Sequence, residues 1–78
     1  MQATEPITAT AIETSPEGLG LLIGNRKVRI PWEKCSKKLA AATIQERLKA
    51  ELSPGGYGIH WPLIDEDLSV NGILRDQQ

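Results

Sequence analysis

Leu19-Gly20-Leu21-Leu22-Ile23-Gly24-Asn25-Arg26-Lys27-Val28-Arg29-Ile30-Pro31 is the stretch that decides the fold. Leu19 to Ile23 is a short apolar run. Gly24-Asn25 follows it, and both residues tolerate positive φ, so they suit a two-residue hairpin loop. Beyond the loop Lys27-Val28-Arg29-Ile30 alternates strictly, which puts Val28 and Ile30 on a core face and the cations on a solvent face. Upstream, Ser15-Pro16-Glu17-Gly18 has Pro second and Gly fourth, as a turn prefers. Thr8-Ala9-Thr10-Ala11-Ile12 alternates in the manner of a strand. These segments predict an antiparallel three-stranded meander.

Downstream, Pro31 ends the third strand and suits the first turn of a helix. Trp32, Cys35 and Leu39 recur at helical spacing and predict one apolar stripe. Thr43-Ile44-Gln45-Glu46 is a capping-box pattern. Ile44, Leu48 and Leu52 predict a second stripe, with Arg47 and Glu51 one turn apart and able to pair. Ser53-Pro54-Gly55-Gly56 should stop that helix. Two short helices, or one kinked near Ala42, fit equally well. Tyr57, Ile59 and Trp61 then alternate with Gly58 and His60, which predicts a fourth strand with its large residues on one face. Pro62 stops it. Asp65-Glu66-Asp67 reads as a polar turn. Ser69 to Leu74 predicts a helical turn capped by Asp67 or Ser69.

The expected fold class is therefore α+β. It is a small antiparallel sheet, a three-stranded meander plus a fourth strand, with one or two helices packed on one face. The expected organisation is a flexible arm over 1–8, a single domain over 9–74 and a polar tail over 75–78.

At 78 residues there is room for one domain, and a chain so short buries roughly 60% of its unfolded surface. Self-association would bury more, so a homo-oligomer is a reasonable expectation. With 40% hydrophobic and 24% charged residues, the chain is too apolar for a disordered one. One Cys rules out an internal disulfide. The absence of a signal-peptide pattern and of any long apolar run leads to the expectation of a soluble, cytoplasmic protein with no membrane partner. Cys35 lies beside Lys34 and Lys37-Lys38, which could lower a thiol pKa, but its helical spacing reads as core.

The charges are polarised. Arg26, Lys27, Arg29, Lys34, Lys37 and Lys38 lie in one segment opposed only by Glu33, while Glu51 onward is acidic. That basic segment could meet nucleic-acid phosphates. A pI near 5.7 suits a free-standing DNA binder poorly.

Chemistry is sparse. His60 with Asp65 and Asp67 could suggest a metal site or an acid–base pair. A single His and a single Cys make zinc improbable, and no twelve-residue calcium loop is present. No nucleophile elbow and no phosphate-cradling glycine pattern occurs. The expectation is a non-enzyme with no cofactor, no metal and no catalytic residues. The candidate partner-binding residues are Gly58, His60, Trp61, Asp65, Glu66 and Asp67.

Gly56-Tyr57-Gly58-Ile59-His60-Trp61-Pro62, Asp65-Glu66-Asp67-Leu68-Ser69 and Gly72-Ile73-Leu74 resemble one small bacterial family, domain-of-unknown-function family 2442. Ile30-Pro31-Trp32, and Leu39 to Thr43 with Arg47, match its middle section. The resemblance covers roughly Ile12 to Leu74. It departs at Lys37, where many relatives carry Pro, and Lys37 should let the first helix run more smoothly. The resemblance implies a small α+β domain with no assigned activity. Relatives are often encoded beside a second small protein, in an arrangement like a toxin–antitoxin pair. The expected function is thus an antitoxin-like protein-interaction module. The alternative is a nucleic-acid-binding regulator using Arg26, Lys27, Arg29, Lys34, Lys37 and Lys38.

Overall fold

The hairpin that the sequence dictates is present in the computed structural model, which describes residues 7–75. Strands β1 (Ala11–Thr14), β2 (Gly18–Ile23) and β3 (Arg26–Pro31) form an antiparallel sheet in the order β1-β2-β3. Ile23 pairs with Arg26, so the loop is the two residues Gly24-Asn25. Only Gly24 takes positive φ there, 60°, as loops with glycine at the first central position do. Leu19, Leu21 and Ile30 are fully buried and Val28 is half-buried. The Ser15–Gly18 turn closes through Ser15 N–H to Gly18 O at 3.1 Å.

The helical region is more broken than its apolar spacing suggests. It comprises α1 (Trp32–Cys35), α2 (Lys37–Ala40) and α3 (Ile44–Leu48). The first break falls at Ser36, whose backbone is extended and whose Oγ accepts the Leu39 N–H at 3.1 Å. Lys37 therefore does not smooth the helix. It occupies the first position of α2, directly after the Ser36 cap. Trp32, Cys35 and Leu39 are buried as one stripe across the break. The capping box at α3 is complete: Thr43 Oγ1 accepts from Glu46 N–H, and the Glu46 carboxylate accepts from Thr43 N–H.

The second stripe is not a core stripe. Helix α3 stops at Leu48, Ile44 and Leu48 are exposed, and Leu52 belongs to a strand. Arg47 does not pair with Glu51. Its guanidinium donates to the Leu39 and Ala40 carbonyls at 2.9 and 2.8 Å, capping the C-terminal end of α2, where a cation is favourable.

The fourth strand is real, but it lies in a sheet of its own. Strands β4 (Glu51–Leu52), β5 (Gly58–Trp61) and β6 (Glu66–Ser69) form a second antiparallel sheet in the order β4-β5-β6. A 3-10 turn over Pro54–Gly56 joins β4 to β5. Ile59 and Trp61 are buried as expected. Tyr57 precedes the strand and is exposed, so it is no part of that packed face. Helix α4 (Val70–Arg75) follows β6 directly, with Ser69 Oγ accepting the Gly72 N–H at 2.9 Å. Ser69, rather than Asp67, is the cap. The expected arm falls mostly on residues outside the described range, as does the tail beyond Arg75.

Both sheets and helices α1, α2 and α4 share one core: Ala9, Leu19, Leu21, Ile30, Trp32, Cys35, Leu39, Ile59, Trp61, Val70 and Ile73. The Trp32 and Trp61 rings meet edge to face at 6.3 Å, a favoured aromatic geometry. Each buried indole N–H is satisfied, Trp32 by Ser15 O at 2.8 Å and Trp61 by Arg47 O at 3.0 Å. The Ala9 N–H to Gly56 O bond, at 2.8 Å, adds a backbone tie between the first strand's approach and the second sheet.

Candidate functional site

The site is built on the β5–β6 hairpin. Val70 N–H donates to Tyr57 O, which fixes the phase of the ladder. Ile59 and Leu68 are then a hydrogen-bonded pair, and His60 and Asp67 a non-bonded one. Side chains of non-bonded pairs stand closer together. His60 Nδ1 lies 2.8 Å from Asp67 Oδ1. Glu51 is directly opposite His60 on the other side, in β4, so His60 stands on the outer sheet face between two acids.

The tight turn between the strands brings in a third carboxylate. Asp65 is the sole non-glycine residue with positive φ among the described residues, at 51°, a conformation Asp tolerates. Lys38 reaches across from α2 and donates to the Ile64 and Asp65 carbonyls at 3.2 and 3.4 Å. One donor atom each from His60, Asp65 and Asp67 lies within 4.8 Å of the others. Two carboxylates and an imidazole suit a borderline divalent cation. The side chains of His60 and Asp67 are 38% and 74% exposed, so the group is wet, and their pairing contributes at most about 1 kcal/mol.

The sequence candidates therefore divide. His60, Asp65 and Asp67 converge. Asp65 is the turn itself, and Asp67 is a strand residue rather than a helix cap. Glu66 pairs opposite Trp61 and is half-buried on the other side of the strand. Gly58 is tied down, its N–H donating to Ser53 Oγ at 2.9 Å. Trp61 is fully buried, so it supports the site from beneath and offers no surface. Glu51 was not anticipated, because a two-residue strand leaves no periodic signal.

The basic segment is dispersed by the fold. Lys38 sits on the acidic turn, and Lys27 lies 3.6 Å from Glu13. Arg26, Arg29, Lys34 and Lys37 are exposed. Cys35 is no reactive thiol: burial pushes it up to about 11, outweighing the opposing pull of Arg47.

The model of the family described as "Protein of unknown function (DUF2442)" matches residues 9–78. The chain belongs to this family. The DUF2442 fold is also seen in a crystal structure of a protein of unknown function from Rhodospirillum rubrum. That structure is 22% identical in sequence, with a TM-score of 0.78 over 91% of this chain and 88% of the other. At that identity the likeness is one of fold. No curated protein matches the DUF2442 chain.

Proposed function

We propose that the protein is a non-enzymatic interaction module, an antitoxin-like component of a two-gene system. On this reading the outer face of the second sheet contacts a small protein encoded by a neighbouring gene. The observation that carries it is the convergence of His60, Asp65 and Asp67 on a well-supported hairpin, with their polar ends in solvent. A half-exposed imidazole fixed by a carboxylate is an oriented hydrogen-bonding group, and its position is set by two strand pairings rather than by a loop. Glu51 adds a further acid beside it, which favours a basic partner surface. The family resemblance adds the genomic arrangement, by association only.

Co-expression with the product of the adjacent gene, followed by affinity capture of either protein, tests the reading. Co-purification that survives moderate salt is expected, and His60→Ala with Asp67→Ala should weaken it at least tenfold. Wild-type binding with both substitutions in place would move the interface elsewhere. The nucleic-acid alternative needs the basic segment to act as one track. It is less well supported, because Lys27 and Lys38 are each engaged by other parts of the chain.

A further inference from the structure

The first sheet has its own open edge, away from the His60 face. Leu22 O accepts from Thr10 N–H and Gly18 O from Ser15 N–H, so the even-numbered residues of β2 point their backbone groups toward β1. Its odd-numbered residues then bond to Arg26, Val28 and Ile30 of β3. The N–H and C=O groups of Lys27 and Arg29 point outward and take no partner among the described residues. An edge of this kind is a template for another strand.

We propose that β3 accepts an extended segment of a partner protein in which acidic residues alternate with apolar ones. The alternation follows from the pleat. Residues added opposite Lys27 and Arg29 would share their solvent face, where exposed cations select carboxylates. Residues opposite Val28 would face the rim of the core, where an apolar side chain extends the buried surface. Arg26 at the hairpin end is also exposed but has the parity of Val28 and so lies on the other face, and Glu13 is the one acid paired with Lys27. A second copy does not fit as well. Two β3 edges would set cations against cations, and β6 carries Glu66 and Asp67 on opposite faces, so it lacks the alternation. Strand addition of this kind takes affinity from the main chain and specificity from alternate side chains.

The test uses the full chain and a seven-residue capped peptide, Thr-Glu-Val-Glu-Val-Glu-Thr. The expected result is slowed hydrogen exchange at the Lys27 and Arg29 amides, because those N–H groups gain acceptors. Lys27→Glu with Arg29→Glu should weaken binding about tenfold, the scale of two cross-strand charge pairs reversed, and should allow the Lys-for-Glu peptide to bind instead. Arg29→Gln alone should give a smaller loss and guards against a folding defect in the double variant. A peptide N-methylated at alternate residues, on its bonding edge, should fail to bind. Four outcomes would overturn the proposal: peptide binding without amide protection, equal binding of the N-methylated peptide, tighter binding of a DNA or RNA oligonucleotide at the same amides, or concentration-dependent self-assembly that occupies β3. His60→Ala should leave peptide binding unchanged, so this proposal and the proposed function fail separately.

Discussion

At the scale of single residues, Arg47 ties α2, Trp32 and Trp61 together through its side chain and backbone. Its guanidinium caps α2, its carbonyl receives the Trp61 indole N–H, and its charge lies 5.8 Å from the Trp32 ring centroid. Arg47→Ala leaves the two α2 carbonyls without their charged donor and should destabilise the fold by about 2–3 kcal/mol, measured by urea denaturation. Arg47→Lys should recover only part of that, since an ammonium lacks the planar fork. None of this was legible in the sequence, where Arg47 offered only a helical pairing with Glu51. Its true partners are backbone carbonyls, which carry no residue signature. Cys35 gives a second prediction. Between pH 9 and 11 the unfolded chain loses the thiol proton while the native chain keeps it. Stability should therefore fall as pH rises through that window. In denaturation at stepped pH, the slope should be shallower for Cys35→Ala, and the wild-type thiol should react slowly with Ellman's reagent at pH 8.

At the scale of elements, local chemistry was readable and long-range pairing was not. The Gly24-Asn25 loop and the Thr43–Glu46 capping box act within four residues and formed as their sequences predict, and of the two caps the sequence offered for the last helix it is Ser69 that acts. Strand β6 begins with Glu66-Asp67, residues poor in strand preference. Register decides it, by setting Leu68 opposite Ile59, and a distant pairing of that kind leaves no local trace. The Ser36 break was readable in principle, since Ser is a preferred helix cap, but the continuous apolar stripe hid it. Two glycines separate loop freedom from close packing. Gly24→Ala has open space around it and a positive φ, so it should cost about 1 kcal/mol. At Gly56, φ is 77° and a side-chain carbon would overlap the Ala9 carbonyl oxygen. Gly56→Ala should therefore cost well over twice as much as Gly24→Ala, and thermal melts of the two variants would order them.

At the scale of the whole molecule, the fold is two small sheets that neither could sustain alone. A small sheet needs its hydrophobic face packed against something to be stable. The shared core makes each sheet the other's support, and the Trp32–Trp61 contact holds α1 against the second sheet. Unfolding should accordingly be a single transition, with circular dichroism and tryptophan emission giving coincident midpoints. Trp61→Phe removes the hydrogen bond to Arg47 O and leaves a small void, a combined cost of about 2 kcal/mol. It should lower the midpoint without separating the two signals. The α+β class and the family were legible because composition, turns and the C-terminal run are local. The division into two sheets was not, since β4 spans only Glu51–Leu52.

The indole pair also gives the chain an optical property. Phe is absent, and the lone Tyr is exposed. Near-ultraviolet absorption therefore comes chiefly from two rings 6.3 Å apart and inclined at 80°. Two indoles held this close at a fixed angle in a packed, chiral surrounding should give near-ultraviolet circular dichroism bands. Those bands should persist only while α1 stays packed on the second sheet, so the protein carries an intrinsic, label-free gauge of its own packing.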